Sequence, residues 1–286
     1  MHREKRVHPY KDDKILTAWN GLMIAALAIG GRIISDGVYT RAAEKAVEFI
    51  YKNLIREDGR LLARYRDGES AYPAYVDDYA FLVWGLLELY ETTYKPEYIK
   101  KAMQLNEDMI RLFWDREKGG LFLYGHDSEQ LITRPKEVYD GATPSGNSVA
   151  ALNFLRLARL TGNHALEELA QQQFRTFGYE MLRAPRAHGF LLCAFMFMFS
   201  PAREIILVEN EEKNNSDAMV KILREKYNPF STSLLYSEKE PELGTLIPFI
   251  ENYKTVDGKT TAYICENFAC QAPITDNAKF REALMQ

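Results

Sequence analysis

Three stretches of the chain are apolar around most of a helical circumference: KILTAWNGLMIAALA, YAFLVWGLLELYE and NSVAALNFLRLARL. That pattern is expected of helices packed on more than one side. Each is followed by a stretch with apolar residues at helical spacing and polar ones between them: YTRAAEKAVEFIYKNLI, PEYIKKAMQLNEDMIRLFW and HALEELAQQQFRTFGYEML. These predict amphipathic helices lying outside the first set. After each outer helix comes a glycine turn and a short apolar run: DGRLLARY (58–65), GGLFLYGH (119–126) and HGFLLCAF (188–195).

The layout repeats. The acidic or small residues that open the inner helices, Asp12-Asp13, Asp77-Asp78 and Ser145-Gly146, recur 65 and 67 residues apart (13 to 78, 78 to 145). Inner helix, link, outer helix and glycine turn predict three αα-hairpins over residues 12–200, closed by a seventh helix from Gly189 to Ser200 that Pro201 stops. From Arg203 the pattern changes to short apolar runs typical of strands, REIILVEN, STSLLYS, TLIPFIENY and TTAYICENF, with SDAMVKILREKY as a helix among them and a DG turn at 257–258. The expected fold class is mainly α: an αα-hairpin array over 1–201, with a small α/β appendage over 202–286. VENEEKNN follows the first of these strands without a glycine-rich phosphate loop, which argues against nucleotide binding.

Composition removes several function classes. Thirty-six Lys and Arg against 40 Asp and Glu leave a net charge of −4, which gives no electrostatic footprint for nucleic acid. The basic residues near the start, Arg3, Lys5, Arg6, Lys11 and Lys14, alternate with acids and read as a solvated arm. The opening MHREKRVHPY has no apolar core of a signal peptide, and the apolar run Phe190–Phe199 falls short of a membrane span, so no membrane partner is expected. Three cysteines, Cys193, Cys265 and Cys270, are an odd number in a chain able to build its own core. They read as reduced, buried apolar residues of a cytoplasmic protein.

Four segments carry a family resemblance: DDKILTAWNGLMIAALA (12–28), YVDDYAFLVWGLLELYE (75–91), RPKEVYDGATPSGNSVAALNFLRLARLTG (134–162) and ICENFACQAP (264–273). In this order they resemble the C-terminal half of the thioredoxin-domain-containing family that includes spermatogenesis-associated protein 20. The resemblance runs from about residue 3 to the end. It implies a helical domain similar to six-hairpin glycosidases and N-acylglucosamine 2-epimerases, an (α/α)6 toroid preceded by a thioredoxin-like domain. This chain has no thioredoxin-like segment and about half of the hairpins, so the resemblance implies a partial toroid, a fragment or one part of a split protein. A half-toroid leaves apolar inner-helix surface open, and a homodimer or the missing N-terminal half is the expected partner.

In an αα-toroid the links into the inner helices gather at one mouth, which would bring Asp12, Asp13, Asp77, Asp78 and Asp140 together. Glycoside hydrolysis needs two carboxylates, one protonated donor and one base or nucleophile, roughly 5 Å apart for retention and 6.5–9.5 Å for inversion. An Asp at a helix start also caps free N–H groups, worth about 1 kcal/mol. One Asp suffices for a cap, so the second of each pair is left to explain. The candidate acids and bases are therefore Asp13, Asp78, Glu137 and Asp140. Trp19, Asn20, Asp77, Tyr79, Tyr139 and Asn147 are the candidate sugar contacts, aromatic faces for stacking and polar groups for hydroxyls. Core packing is the competing role for the aromatics and for Trp84.

Ser145 has no nucleophile-elbow setting, so a serine hydrolase is not expected. The five histidines show no ligand spacing, and neither metal nor cofactor is expected. An epimerase of the resembled fold would use histidines as acid and base; only His126 and His188 are arguable, on turns after outer helices, which puts them on the wrong side or leaves their side open. The expected ligand is a carbohydrate or sugar-derived molecule. A silent helical scaffold and a sugar epimerase are the alternatives.

Overall fold

The computed structural model describes residues 2–129, 131–201, 203–209, 213–237, 242–266 and 269–285. The hairpins are present at the expected places: α1 (Thr17–Ile34) with α2 (Gly37–Asn53), α3 (Val76–Thr93) with α4 (Pro96–Phe113), and α5 (Gly146–Thr161) with α6 (His164–Arg183). The seventh helix, α7, spans Gly189–Phe199. Local signals set the tight links. Ser35 and Gly162 adopt left-handed backbone at the ends of α1 and α5, while Asp36 and Asn163 cap the helices that follow through the N–H groups of Val38 and Ala165. Tyr94 turns left-handed at the end of α3, and Pro96 opens α4.

The inner helices pack in the order α1, α3, α5, α7, with α2, α4 and α6 behind the first three. Gly21 and Gly85 let α1 and α3 approach closely: a Cβ on Gly21 would stand 2.6 Å from the Leu82 nitrogen, and one on Gly85 2.8 Å from the Gly21 carbonyl oxygen. Both middle helices, α3 and α5, are buried nearly all round, as the pattern predicts. At the ends of the array this changes. α1 exposes Trp19, Met23, Ile33 and Ile34, and α7 exposes Met196 and Phe199, because among the described residues no further inner helix covers them. α1 has the length and hydropathy of a membrane span, but its Gly21, Ile24, Ala25 and Ala28 stripe packs into the array.

The link after α2 holds an unexpected β-hairpin. Strands β2 (Leu62–Arg66) and β3 (Glu69–Pro73) pair antiparallel, and β1 (Ile15–Leu16) adds to the β2 edge. Asp67 and Gly68 both take positive φ between the paired Arg66 and Glu69, the tight turn that an Asp-Gly step favours.

The C-terminal part is a four-stranded sheet in the order β5-β4-β6-β7, built from β4 (Arg203–Glu209), β5 (Ser231–Ser237), β6 (Thr261–Glu266) and β7 (Ala269–Cys270). Its helix α8 (Lys213–Arg224) carries the crossover between parallel β4 and β5. TLIPFIENY, expected as a strand, is helical: α9 (Glu242–Leu246) is followed by a 3-10 turn at Pro248–Asn252, where proline lacks the N–H a strand ladder would use. The expected strand end at 267–268, and residues 210–212 after β4, lie outside the described residues. α10 (Asn277–Ala283) packs on α8. Tyr94 Oη lies 2.8 Å from Ser233 Oγ, Arg159 donates to the Phe230 carbonyl (2.9 Å), and Arg224 to that of Thr92 (2.6 Å). These bonds seat the sheet at the C-terminal ends of α3 and α5 and leave their N-terminal ends clear of it.

Candidate functional site

Each outer helix runs antiparallel to its inner partner and returns the chain to the end where the next inner helix starts. The links 54–75, 114–145 and 184–188 therefore meet at the N-terminal ends of the inner helices. His126 and His188 consequently lie on the mouth side, contrary to the expectation from sequence. His188 is buried with Nδ1 2.9 Å from the Ala184 carbonyl, whereas His126 is exposed.

The acids at this end divide by what their oxygens do. The Asp78 carboxylate accepts from the Tyr75 N–H at the head of its own helix and from the Ala18 N–H at the head of α1, both at 2.8 Å. Asp140 accepts from Ser145 N–H (2.9 Å) through one oxygen, and from Phe190 (2.8 Å) and Leu191 (3.0 Å) N–H through the other, tying the heads of α5 and α7. The second Asp of the Asp77-Asp78 pair has a similar explanation: Asp77 Oδ1 accepts from Gly146 N–H of α5 at 2.8 Å. Gly146 makes this contact possible, since a Cβ there would lie 2.4 Å from that oxygen. Inner-helix heads, each with unsatisfied N–H groups and a partial positive charge, are thus laced together by carboxylates from neighbouring elements.

Asp77 differs from the other two. Only its Oδ1 meets a backbone donor among the described residues, it is half-buried, and exposed Glu137 is close enough for its charge to act on it. Burial, countered by the Gly146 bond and reinforced by Glu137, pushes the Asp77 carboxyl up to about 6. Asp78 is pushed up to about 7 by burial, against the pull of its two N–H bonds, with the Asp77 charge adding to the rise and Arg60 opposing it. At 4% exposure it has no route to a ligand.

The remaining candidates scatter. Asp13 is exposed on the N-terminal arm and pairs with Arg66 Nε at 2.9 Å; α1 begins four residues later with Leu16 at its cap, so the first repeat lacks the carboxylate geometry of the second. Tyr79, expected against a sugar, is fully buried, with its hydroxyl held by Arg60 Nη1 (3.0 Å) and the Leu61 N–H (3.2 Å). Asn147 is buried too: it accepts from Leu121 N–H and Gln173 and donates to the Leu121 and Glu137 carbonyls, pinning the 114–145 link to α5. Asn20 donates to the Leu16 carbonyl of its own helix start.

Trp19 and Tyr139 are 66% and 68% exposed at the mouth end, together with Tyr75, which no sequence motif marks and which sits two residues before Asp77. Trp84 is half-buried, its ring edge-on to Phe190 at 5.0 Å. Also unanticipated are Arg60, which is buried and bonds to Asp127 at 2.7 Å, and a charged cluster of Arg32, Glu88, Glu91 and Arg156 between α1, α3 and α5. Among the described residues no group of three or more His, Cys, Asp or Glu is arranged to hold a metal ion.

An array of αα-hairpins with inner and outer layers, its inner-helix heads gathered at one end, is the architecture of six-hairpin toroids. In the solved GH76 α-mannanase of Bacteroides thetaiotaomicron the fold matches over 76% of this chain and 58% of that one, at a TM-score of 0.54 and 12% identity. By sequence the chain is a homologue of human spermatogenesis-associated protein 20, 31% identical over 99% of its own length. A Caenorhabditis elegans protein, B0495.5, is 29% identical over 95% of the chain. The chain spans 37% and 38% of the lengths of these two relatives. No protein-family model matches it.

Proposed function

We propose that residues 1–201 form a carbohydrate-binding, glycosidase-like domain whose reactive pair is Asp77 and Glu137, with residues 202–286 as an α/β appendage seated on its far end. One observation carries this reading: a half-buried carboxyl raised to about 6 by burial and by the charge of an exposed second carboxylate, at the open end of the inner helices. A carboxyl that keeps its proton near neutral pH is the donor that glycosidic oxygen needs, and Glu137 is the matching base or nucleophile. Exposed Trp19, Tyr75 and Tyr139 supply apolar ring faces at the same end. The mannanase likeness supports the fold on which such a site is built. In this reading the apolar faces of α1 and α7 are covered by a second copy or by the rest of a longer chain.

Hydrolysis is preferred to epimerisation because an acid–base pair of histidines is not on offer: of the two on the mouth side only His126 is exposed, while His188 is buried on a backbone carbonyl. The scaffold reading keeps one observation in its favour: both oxygens of Asp78 and of Asp140 are spent on helix heads.

Asp77→Asn tests the proposal because its amide oxygen still accepts the Gly146 N–H while the acidic proton is lost. In a screen of the purified protein against mannosides and a wider glycan panel, Asp77→Asn is expected to lower turnover roughly 10²–10⁴-fold with little change in melting temperature. Absence of both turnover and binding across the panel in the wild type would leave the scaffold reading.

A further inference from the structure

Cys265 and Cys270, expected as reduced apolar residues, are joined by a disulfide. They are cross-strand partners in the β6–β7 pair, and β7 is the two-residue edge of the sheet. The two sulfurs are unequal. Cys265 is 2% exposed, on the strand next to β4, while Cys270 is exposed at the edge. The hydroxyl of Tyr253 reaches both, 3.6 Å from Cys265 Sγ and 3.5 Å from Cys270 Sγ, and the Tyr253 ring is held edge-on to Tyr263 at 4.9 Å. A purely structural staple needs neither an open sulfur nor a polar hydrogen directed at the pair.

We propose that Cys265–Cys270 is a thiol–disulfide exchange site, entered at Cys270 by an external dithiol, with Tyr253 holding the released sulfur of Cys265. The thiolate of the dithiol attacks Cys270 Sγ, a new S–S bond forms, and the Cys265–Cys270 bond breaks with its electron pair on Cys265 Sγ. Tyr253 donates its hydrogen bond to that thiolate, which takes up a proton from solvent. The second thiol of the dithiol, as thiolate, then attacks its own sulfur in the mixed disulfide and displaces the Cys270 thiolate, which is protonated. The protein disulfide is reduced by two electrons and the dithiol is oxidised to its cyclic disulfide. Burial, with Glu204 and Tyr263 nearby, raises the Tyr253 phenol further, so it remains a donor at neutral pH. The site lies in the α/β appendage, away from the helix heads, and does not depend on the carbohydrate reading.

The test uses the full chain with exposed Cys193 replaced by Ala, so that this third thiol does not compete. Dithiothreitol without denaturant is expected to open the bond, read as two added alkyl groups by mass spectrometry. With oxidised glutathione, Cys265→Ser is expected to form a mixed disulfide at Cys270, and Cys270→Ser to form one at Cys265 at least roughly tenfold more slowly, as burial restricts attack. Tyr253→Phe, which keeps the ring and removes the hydroxyl, is expected to slow reduction by dithiothreitol roughly tenfold through loss of the charge-assisted hydrogen bond. A bond that opens only in denaturant, equal reactivity of the two single-cysteine variants, or an unchanged rate in Tyr253→Phe would each overturn the proposal.

Discussion

Asp140→Asn is expected to lower the melting temperature by roughly 5–10 °C, a loss of about 2–4 kcal/mol. The carboxylate accepts three backbone N–H groups at the heads of two helices, that of Ser145, which caps α5, and those of Phe190 and Leu191 in α7. An amide offers one oxygen, so its NH₂ must face a donor at one of the two helix heads, and either α5 or α7 loses its tie. By its position alone, in the loop before an inner helix, this carboxylate looks cheap to neutralise. The structure reverses that expectation because the partners at 190 and 191 stand fifty positions further along, at the start of a helix with no acidic cap of its own. Thermal unfolding followed by circular dichroism measures the shift. An unchanged melting temperature would show that these bonds contribute nothing.

Glu88→Gln is expected to cost more, about 3–5 kcal/mol, read as a fall in the urea midpoint. Glu88 sits in α3 and accepts from Arg32 of α1 (2.9 Å) and from Arg156 of α5 (2.6 Å), with Trp84 Nε1 at 3.2 Å. Burial by itself would raise this carboxyl, but the two guanidiniums outweigh it and hold Glu88 below its ordinary range. Removing its charge leaves Arg32 and Arg156 to share Glu91, which contacts them at 3.4 and 3.2 Å. Two guanidiniums between packed helices with one carboxylate are poorly compensated, whereas an exposed pair such as Lys101 with Glu97 contributes no more than about 1 kcal/mol. A Glu88→Gln midpoint as little changed as that of Glu97→Gln would contradict this role.

The helical array was legible because periodicity reports burial directly. Alternation of nearly all-apolar and amphipathic segments separated α3 and α5 from α4 and α6, and the spacing of Asp78 and Ser145 placed their starts. The same signal failed where neighbours decide. TLIPFIENY has the apolar content of a strand, yet Pro248 cannot join a ladder, and LARYR and ESAYP pair through a turn whose Asp67-Gly68 signal is only two residues long. At the mouth, residue type pointed correctly to carboxylates at helix heads. It could not say which head each one caps, since Asp78 reaches Ala18 and Asp77 reaches Gly146 across helix interfaces. Tyr79 and Asn147 look like ligand groups by type, and only their buried partners show otherwise. The arginines of the Glu88 cluster lie on inner helices that share no sequence window, so no local pattern could pair them.

A side-chain carboxyl titration of Asp77 by ¹³C NMR, in the wild type and in Glu137→Gln, addresses the site most directly. The expected result is an Asp77 pKa of about 6 that falls when the Glu137 charge is removed, because burial raises it and the neighbouring carboxylate adds to the rise. An Asp77 that titrates in the ordinary carboxylate range and is indifferent to Glu137→Gln would contradict the pairing of these two acids, and with it the site.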